Sequence, residues 1–185
     1  MLTNTQLQAL KADIEADPAF AGKPLTSGAA YEIAEAYKAD SGQKVWRTDA
    51  PVSSIIDAIN WTSYTPNDAP DNTATYTNRA LLAQTKQMNL QLMLQGRQSL
   101  DASLSNLRAG LRDAVIQVPT GAGGAMTSPG GSSGATVMTV CTRNANRAEN
   151  LFSAPSKTTG TVSAKVLTFE GYITSEDVQA ARELA

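Results

Sequence analysis

The sequence predicts a mainly α-helical protein, a helical bundle of about six or seven helices with a short β-strand or hairpin arm near the C-terminus. Three observations lead to this fold class. Apolar residues recur at steps of three and four over most of the 185 residues, which is the spacing of one helix face. Aromatic residues make up only 5% of the chain, so helices would pack closely through small side chains such as alanine. The clearest alternation of strand type is confined to 165–173.

The helix around which the chain is organised is predicted over 136–152. Its apolar face would consist of Val137, Val140, Cys141, Ala145, Ala148, Leu151 and Phe152. These residues are spaced as on one side of an α-helix, while the charged and amide residues fall mainly on the other sides. A Gly/Ser-rich tract precedes this helix, and the strand candidate 165–173 follows it.

The N-terminal part predicts three helices. The first begins after Thr3, which has capping-box spacing with Gln6, and ends at Asp17 because the next residue is proline. The second helix runs over about 27–39, and 44–48 is a short extended candidate. A third helix begins after Thr48 or Asp49 and carries apolar residues at 52, 55, 56 and 59.

The longest helix is predicted over about 73–95, and its apolar residues point in several directions. A helix of this kind is either central to a bundle or shared with another subunit. The next helix begins at Ser99 or Asp101 and ends at Pro119.

The tract 120–135 is rich in Gly, Ser and Pro, which is typical of a surface loop. Its glycines precede a helix, as in a phosphate-binding loop, but a strand before them and a lysine after them are missing. We therefore divide a single domain into an N-terminal helical bundle at 1–118, a loop at 119–135 and a C-terminal part at 136–185. In that last part, 153–163 is a polar loop, 165–173 a strand that pairs either within the chain or with a neighbouring subunit, and Thr174 the cap of a final helix.

Composition disfavours most catalytic chemistry. The chain has no histidine and a single cysteine, Cys141, which lies on an apolar helix face and is expected to be a small buried residue. The carboxylate pairs Glu32/Glu35 and Glu176/Asp177 are expected to be solvated or to complement a helix dipole. We predict no enzyme activity, no cofactor and no catalytic or metal-binding residue.

Charge is distributed unevenly, although the net charge is only −2. Residues 1–72 carry ten acidic and five basic side chains, and residues 73–185 carry seven acidic and ten basic ones. The central basic residues are Arg79, Lys86, Arg97, Arg108 and Arg112. With a pI of about 5.1 they are expected on solvated faces or in contacts between subunits, and proximity to DNA in a channel stays open. No apolar run is long enough for a membrane span and no signal peptide is recognisable, so a cytoplasmic setting, or a particle assembled there, is expected.

Several segments together resemble a known family. They are LTNTQLQALKADIEADP at the N-terminus, KVWRTDAPVSSIIDAINW, the Asn-Leu-Gln to Gln-Gly-Arg run at 89–97, NRAENLF at 146–152, and TFEG followed by EDV at 168–178. This pattern resembles a family of small structural proteins that tailed bacteriophages encode in their head–tail module. The tract 126–135 departs from the family pattern, because members often carry a tryptophan there.

The resemblance implies a virion protein near the junction of capsid and tail. It implies a head–tail connector (neck or adaptor) subunit that forms a homo-oligomeric ring, twelve-fold by family expectation, between the portal and the tail proteins. Other virion roles, such as tail completion or capsid association, remain alternatives, and a small-molecule-binding protein or enzyme is a further one. We predict that contacts with partners involve Trp46, Arg47, Met126, Pro129, Arg143, Arg147, Glu149, Val166, Phe169 and Tyr172.

Overall fold

The computed structural model has an α/β fold, with 50% of its residues in helices and 19% in strands. The structure describes residues 1–65, 74–119 and 125–184, with side chains from residue 78 onward in the segment that begins at residue 74. Within these ranges there are eight α-helices and a four-stranded mixed sheet. The prediction of a mainly α-helical bundle is therefore wrong, because segments expected to be helix or polar loop pair as strands.

The elements follow one another in mixed order along the chain. The helices are α1 (Asn4–Ala16), α2 (Ser27–Ala36), α3 (Val52–Asp57), α4 (Ala74–Leu94), α5 (Ser105–Ala114), α6 (Ala135–Val140), α7 (Arg147–Phe152) and α8 (Ser175–Glu183). The strands are β1 (Asp40–Trp46), β2 (Ala50–Pro51), β3 (Ser99–Leu100), β4 (Val118–Pro119), β5 (Met126–Thr127), β6 (Thr142–Asn146), β7 (Ala154–Thr159) and β8 (Val162–Val166). Among the described residues, a first 3₁₀ turn lies at Trp61–Tyr64 and a further one at Ser132–Gly134.

The main sheet has the strand order β6-β1-β8-β7. β1 and β8 run parallel, with Val45 opposite Lys165. Because β8 lies between β1 and β7, both of its edges are paired within the chain. Two small antiparallel pairs, β2 with β3 and β4 with β5, complete the strands of the described part.

The helix predicted over 136–152 is instead α6, β6 and α7. The helix stops at Cys141, and the next residues join the sheet, where the Ser41 hydroxyl donates to the carbonyl oxygen of Ala145. Asn146 then caps a new helix: its side chain accepts from the backbone N–H of Glu149, and the Glu149 carboxylate accepts from the N–H of Asn146. Thr142, Asn144 and Asn146 have low helix propensity, so sheet pairing and this capping box prevail over the apolar periodicity.

The C-terminal strand is also displaced from its predicted place. The segment 153–163, expected to be a polar loop, forms β7 and the start of β8, and β8 ends at Val166. Residues 167–174 form no strand. β7 is an edge strand with mostly exposed side chains, and such a strand needs no apolar alternation.

Other boundaries follow the sequence more closely. The capping box of α1 (Thr3 with Gln6) is present and Thr174 caps α8, which confirms those predictions. Asp177, expected only to complement the helix dipole, also completes a capping box with Thr174. The longest helix, α4, is also confirmed. α5 begins only at Ser105, because Ser99 and Leu100 pair with β2.

The chain forms two compact units. The first comprises 1–45, 144–156 and 165–185, and the second comprises 46–143 and 157–164. The division into 1–118, 119–135 and 136–185 stays a prediction.

Each unit has its own buried side chains. In the first unit, α1, α2, α7 and α8 bury an apolar cluster formed by Leu2, Leu10, Ile14, Phe20, Ala30, Ile33, Ala34, Tyr37, Ala148, Phe152, Ile173, Val178 and Ala181. In the second unit the largest fully buried side chains are Trp46, Ile55, Leu90, Leu100, Leu111, Val115 and Met138.

Candidate functional surfaces

Helix α4 packs into the second unit with one side only. Ala83 and Leu90 are buried and lie on that side. The Lys86 amine also points inward and donates to the carbonyl oxygens of Asp113 (2.6 Å) and Ile116 (2.8 Å) at the end of α5. These contacts fix the rotation of α4 about its axis and thereby determine which side chains face solvent.

The opposite side of α4 exposes an apolar line. Leu81, Met88 and Leu92 are 55%, 60% and 66% exposed. Their spacing of seven and four residues places them along one side of the helix, and we call these three residues the α4 face. A single exposed leucine is ordinary, whereas an aligned set indicates a contact surface.

Uncharged side chains flank the α4 face. The exposed amides on and just after α4 are Asn78, Gln84, Gln87, Asn89, Gln91 and Gln95. Among the described side chains of α4, only Arg79 and Lys86 are charged, and they are 7% and 12% exposed. A partner can therefore cover this surface without removing an exposed charge from water, which would be costly.

A groove of ≈ 310 Å³ runs beside the α4 face, between α4 and the residues around the first 3₁₀ turn. Ile56 and Trp61 supply its apolar wall and are 39% and 41% exposed. The Trp61 indole is held in place because its Nε1–H donates to the carbonyl oxygen of Ile56 at 3.1 Å. Its ring also lies 5.8 Å from that of the buried Tyr64, whose hydroxyl donates to Ala114.

The predicted interface residues are divided between the units. Trp46, Arg47, Met126, Pro129 and Arg143 belong to the second unit, and Arg147, Glu149, Val166, Phe169 and Tyr172 belong to the first. Met126 and Tyr172 are 54% and 63% exposed. The interface role of all ten stays a prediction.

In the second unit, Trp46 and Pro129 are buried. The Trp46 indole N–H donates to the carbonyl oxygen of Lys157 at 3.0 Å, and the Pro129 carbonyl accepts from the N–H of Asn60 at 2.8 Å. These two residues therefore make contacts inside the unit.

Arg47 and Arg143 are half-buried. The Nε of Arg47 donates to Asp49 Oδ1 at 3.1 Å, and this hydrogen bond holds the pKa of Asp49 below its ordinary value.

In the first unit, Arg147 joins α7 to α1. Its Nη1 donates to Asp17 at 2.7 Å and its Nη2 to Asp13 at 2.8 Å. The guanidinium carbon lies 4.6 Å from the ring centroid of Tyr37 and 5.1 Å from that of Phe20. Burial lowers the pKa of Arg147, but the hydrogen bonds to the two carboxylates outweigh it, so the net shift is upward.

The remaining residues of this group also contact their own unit. Glu149 is 2% exposed and accepts from the N–H groups of Asn146 and Gly171, both at 3.1 Å. Phe169 is half-buried and packs edge-on against Phe152, with ring centroids 5.3 Å apart. Val166 is half-buried at the end of β8.

Cys141 is fully buried, as expected. Burial raises the pKa of its thiol to about 12, so at neutral pH it is a protonated, apolar group.

The carboxylate pairs have structural contacts. Glu32 pairs with Lys23 at 2.6 Å, and Glu35 pairs with Lys38. The Asp177 carboxylate caps α8 and also accepts from the N–H of Leu2 at 3.2 Å.

The Gly-rich tract serves close packing where the structure describes it. A Cβ added to Gly130 would lie 2.8 Å from methyl carbons of both Val115 and Val137. The first glycines of this tract, Gly121, Gly123 and Gly124, lie outside the described residues.

Over 1–65, 74–119 and 125–184, no three His, Cys, Asp or Glu side chains are grouped to hold a metal ion. None of the helices described over those ranges has the length and apolar character to cross a membrane.

Comparisons with protein-family models, curated proteins and solved structures found no match. Function is therefore inferred from these surfaces and from the resemblance in the sequence. In the sequence, apolar residues occur on several sides of α4, which already indicates that some of them face outward. The groove beside α4 could not be predicted in this way, because its wall includes Trp61, which is distant from α4 in sequence.

Proposed function

We propose that the chain is a structural subunit of a tailed-bacteriophage virion, a head–tail connector protein that forms a ring between portal and tail. The phage setting rests on the resemblance of the segments from the N-terminus to 168–178. The proposed assembly into a ring is supported by the α4 face. Leu81, Met88 and Leu92 are exposed there along one side of the helix, and the side chains beside them are uncharged.

The occupant of the α4 face is a neighbouring copy of the chain. In a ring, each copy uses one surface to contact a different surface of the next, so every subunit has one such contact on each side. Each copy has an acidic excess over 1–72 and a basic excess over 73–185, and such unequal charge favours head-to-tail contacts over self-complementary ones. The apolar face supplies affinity, and the unequal charge supplies orientation.

A strand arm is not part of this proposal. Of the segment 165–173, residues 165 and 166 lie in β8, which is already paired on both edges by β1 and β7. Residues 167–173 form no strand that could add to a neighbour's sheet.

A single substitution is expected to break the ring. Burying an exposed leucine contributes about 1.5–3 kcal/mol, and the contact recurs at every subunit. Leu92→Gln removes this contribution at the most exposed position of the α4 face. Leu25→Gln is the matched control, because Leu25 is 72% exposed and lies in the first unit, away from α4 in sequence.

Native mass spectrometry of the purified chain, with and without the portal protein, tests the ring. We expect closed oligomers for the wild type and Leu25→Gln, and monomers for Leu92→Gln. A wild-type chain that stays monomeric even with portal present contradicts the ring.

A phage with an amber codon in this gene tests the place in the virion. Without suppression we expect DNA-filled heads and detached tails, rescued by plasmid copies of the wild type and Leu25→Gln but not of Leu92→Gln. Tailed, infectious particles from the amber strain, or purified virions that lack the chain, would refute the connector role.

A further inference from the structure

A second surface lies between α5 and the turn that joins β7 to β8. This groove has a volume of ≈ 570 Å³, and we call it the α5 groove. Arg108 and Arg112 line it from α5, and Lys157 and Thr159 line it from β7. All of its lining residues belong to the second unit.

Arg112 is held in a slot that two glycines leave open. A Cβ on Gly160 would lie 3.0 Å from the Nε of Arg112, and one on Gly134 would lie 3.5 Å from its Cγ. Both glycines have positive φ, 64° and 72°, so the turns that form the slot also favour glycine.

The Nε of Arg112 is shielded from solvent and has no hydrogen-bond partner among the described residues. A shielded N–H without an acceptor is costly. Because Nε is enclosed by the slot, an anion in the groove would accept from the terminal N–H groups of the same guanidinium.

Arg108 lines the same groove, one helical turn before Arg112 on α5. It is 2% exposed, and its Nη1 donates to the carbonyl oxygens of Ala102 and Ser103, both at 2.6 Å. Its Nε donates to the Thr159 hydroxyl at 3.1 Å, and its guanidinium carbon lies 4.6 Å from the ring centroid of Trp46. These partners are neutral, so they position Arg108 without cancelling its positive charge.

The lining of the groove has an excess of positive charge. Among the described lining residues the carboxylate is Asp113, which lies 3.9 Å from Lys86 outside the groove. Arg108, Arg112 and Lys157 therefore outnumber it. Because the whole chain has a net charge of −2, attraction for an anion comes from this groove rather than from the overall field.

We propose that the α5 groove binds phosphate groups of a nucleic-acid backbone, without regard to base sequence. Arginine presents N–H groups in the fork geometry that phosphate oxygens accept, and threonine hydroxyls commonly contact the same oxygens. From Ser105 to Asp113 the helix rises about 12 Å, which is about three steps of a DNA strand at 3.4 Å each. The groove is therefore longer than one free phosphate ion.

The lining residues lack the side chains that read bases. None of the lining residues among those that the structure describes is aromatic or an amide, and Trp46 is buried against Arg108. Contacts would go to the backbone alone, which positions a duplex but carries no sequence information. This inference uses a surface separate from the α4 face and holds whether or not the chain forms a ring.

Fluorescence anisotropy with a labelled 20-base-pair duplex tests the proposal on the full chain. Between about 50 and 200 mM NaCl we expect wild-type affinity to fall roughly forty-fold, as for about three phosphate contacts. Arg112→Gln should weaken binding roughly tenfold at low salt and reduce the salt slope by about 1. Two duplexes of unrelated sequence should bind alike.

Arg97→Gln is the matched control, because Arg97 is exposed and does not line the groove. Circular dichroism melts establish that both variants are folded, and Lys157→Gln provides a second test at an exposed position. Absence of DNA binding by the wild type at about 100 μM, or equal weakening by Arg112→Gln and Arg97→Gln, would overturn the proposal.

The NMR resonance of the Arg112 Nε–H, assigned by its loss in Arg112→Gln, distinguishes the two sources of phosphate. We expect duplex DNA to shift it at concentrations well below those needed with inorganic phosphate. A shift with inorganic phosphate but none with DNA would refute binding of a nucleic-acid backbone.

Discussion

Arg147 and Arg108 differ in the charge of the groups that accept their hydrogen bonds. Arg147 donates to two carboxylates, Asp13 and Asp17, so its charge is neutralised where it lies. Arg108 donates to carbonyl and hydroxyl oxygens and keeps its charge. The first arrangement joins elements of a core, and the second suits a wall that faces an anion.

Asp17 makes the fold sensitive to acid. The N–H of Ala19 and then the guanidinium of Arg147 hold the pKa of Asp17 below its ordinary value of 3.8. The ionised carboxylate of Asp17 therefore stabilises the folded state. This contribution is complete above the pKa of Asp17 in the unfolded chain, and it is lost as the pH falls through the lower pKa of the folded state. The free energy of unfolding should therefore decrease below about pH 4.

Urea unfolding at pH 3, 4, 5 and 7 measures this effect. Asp17→Asn keeps an oxygen for Ala19 but cannot ionise, so the variant should lose less stability between pH 5 and pH 3 than the wild type does. An unchanged pH profile in the variant would show that the acid sensitivity originates elsewhere, for example at Asp40, whose pKa is also lowered.

At the scale of elements, Asn146 separates β6 from α7. Its side chain accepts from the N–H of Glu149 at 2.8 Å and donates to the carbonyl oxygen of Gly171 at 2.8 Å. One residue therefore caps a helix and holds the loop that leads to α8.

Asn146→Ala should destabilise the protein by about 1–2 kcal/mol, because the cap is lost and the Gly171 carbonyl loses its partner. Chemical denaturation gives the value, and Asn4→Ala, an exposed position in the first turn of α1, is the control. Equal stability of the two variants would show that this capping box contributes little.

Local signals in the sequence predicted the ends of helices better than the strands. Thr3 with Gln6 and Thr174 with Asp177 lie three residues apart, so their capping boxes can be recognised directly. Asn146 and Glu149 have the same spacing, but they lie within an apolar periodicity that favoured one long helix.

The sequence pattern did not predict strands that are defined only by hydrogen bonding to a neighbouring strand. β7 is polar because it is an edge strand, and β2 to β5 contain two residues each, too few for an alternating pattern. The α5 groove was missed for the same reason, since it forms only once the hairpin of β7 and β8 lies against α5.

At the scale of the whole molecule, the proposed ring couples stability to concentration. A contact between folded subunits stabilises the folded state by mass action, so Tm should rise with protein concentration. Calorimetry of the wild type over a hundredfold range of concentration should show this rise.

Leu92→Gln should have a Tm that does not depend on concentration, whereas Leu25→Gln should behave as the wild type does. A wild-type Tm that stays constant over the range would argue against association through the α4 face.

The contact between α1 and α8 has a consequence for synthesis on the ribosome. The first unit needs both ends of the described chain, because Asp177 accepts from the N–H of Leu2 and the Lys11 amine donates to the carbonyl oxygen of Leu184. The apolar sides of α1 and α2 therefore stay uncovered by α8 until the whole second unit has been translated. At about 5–20 residues per second this delay is on the order of ten seconds, during which nascent α1 and α2 are open to chaperones.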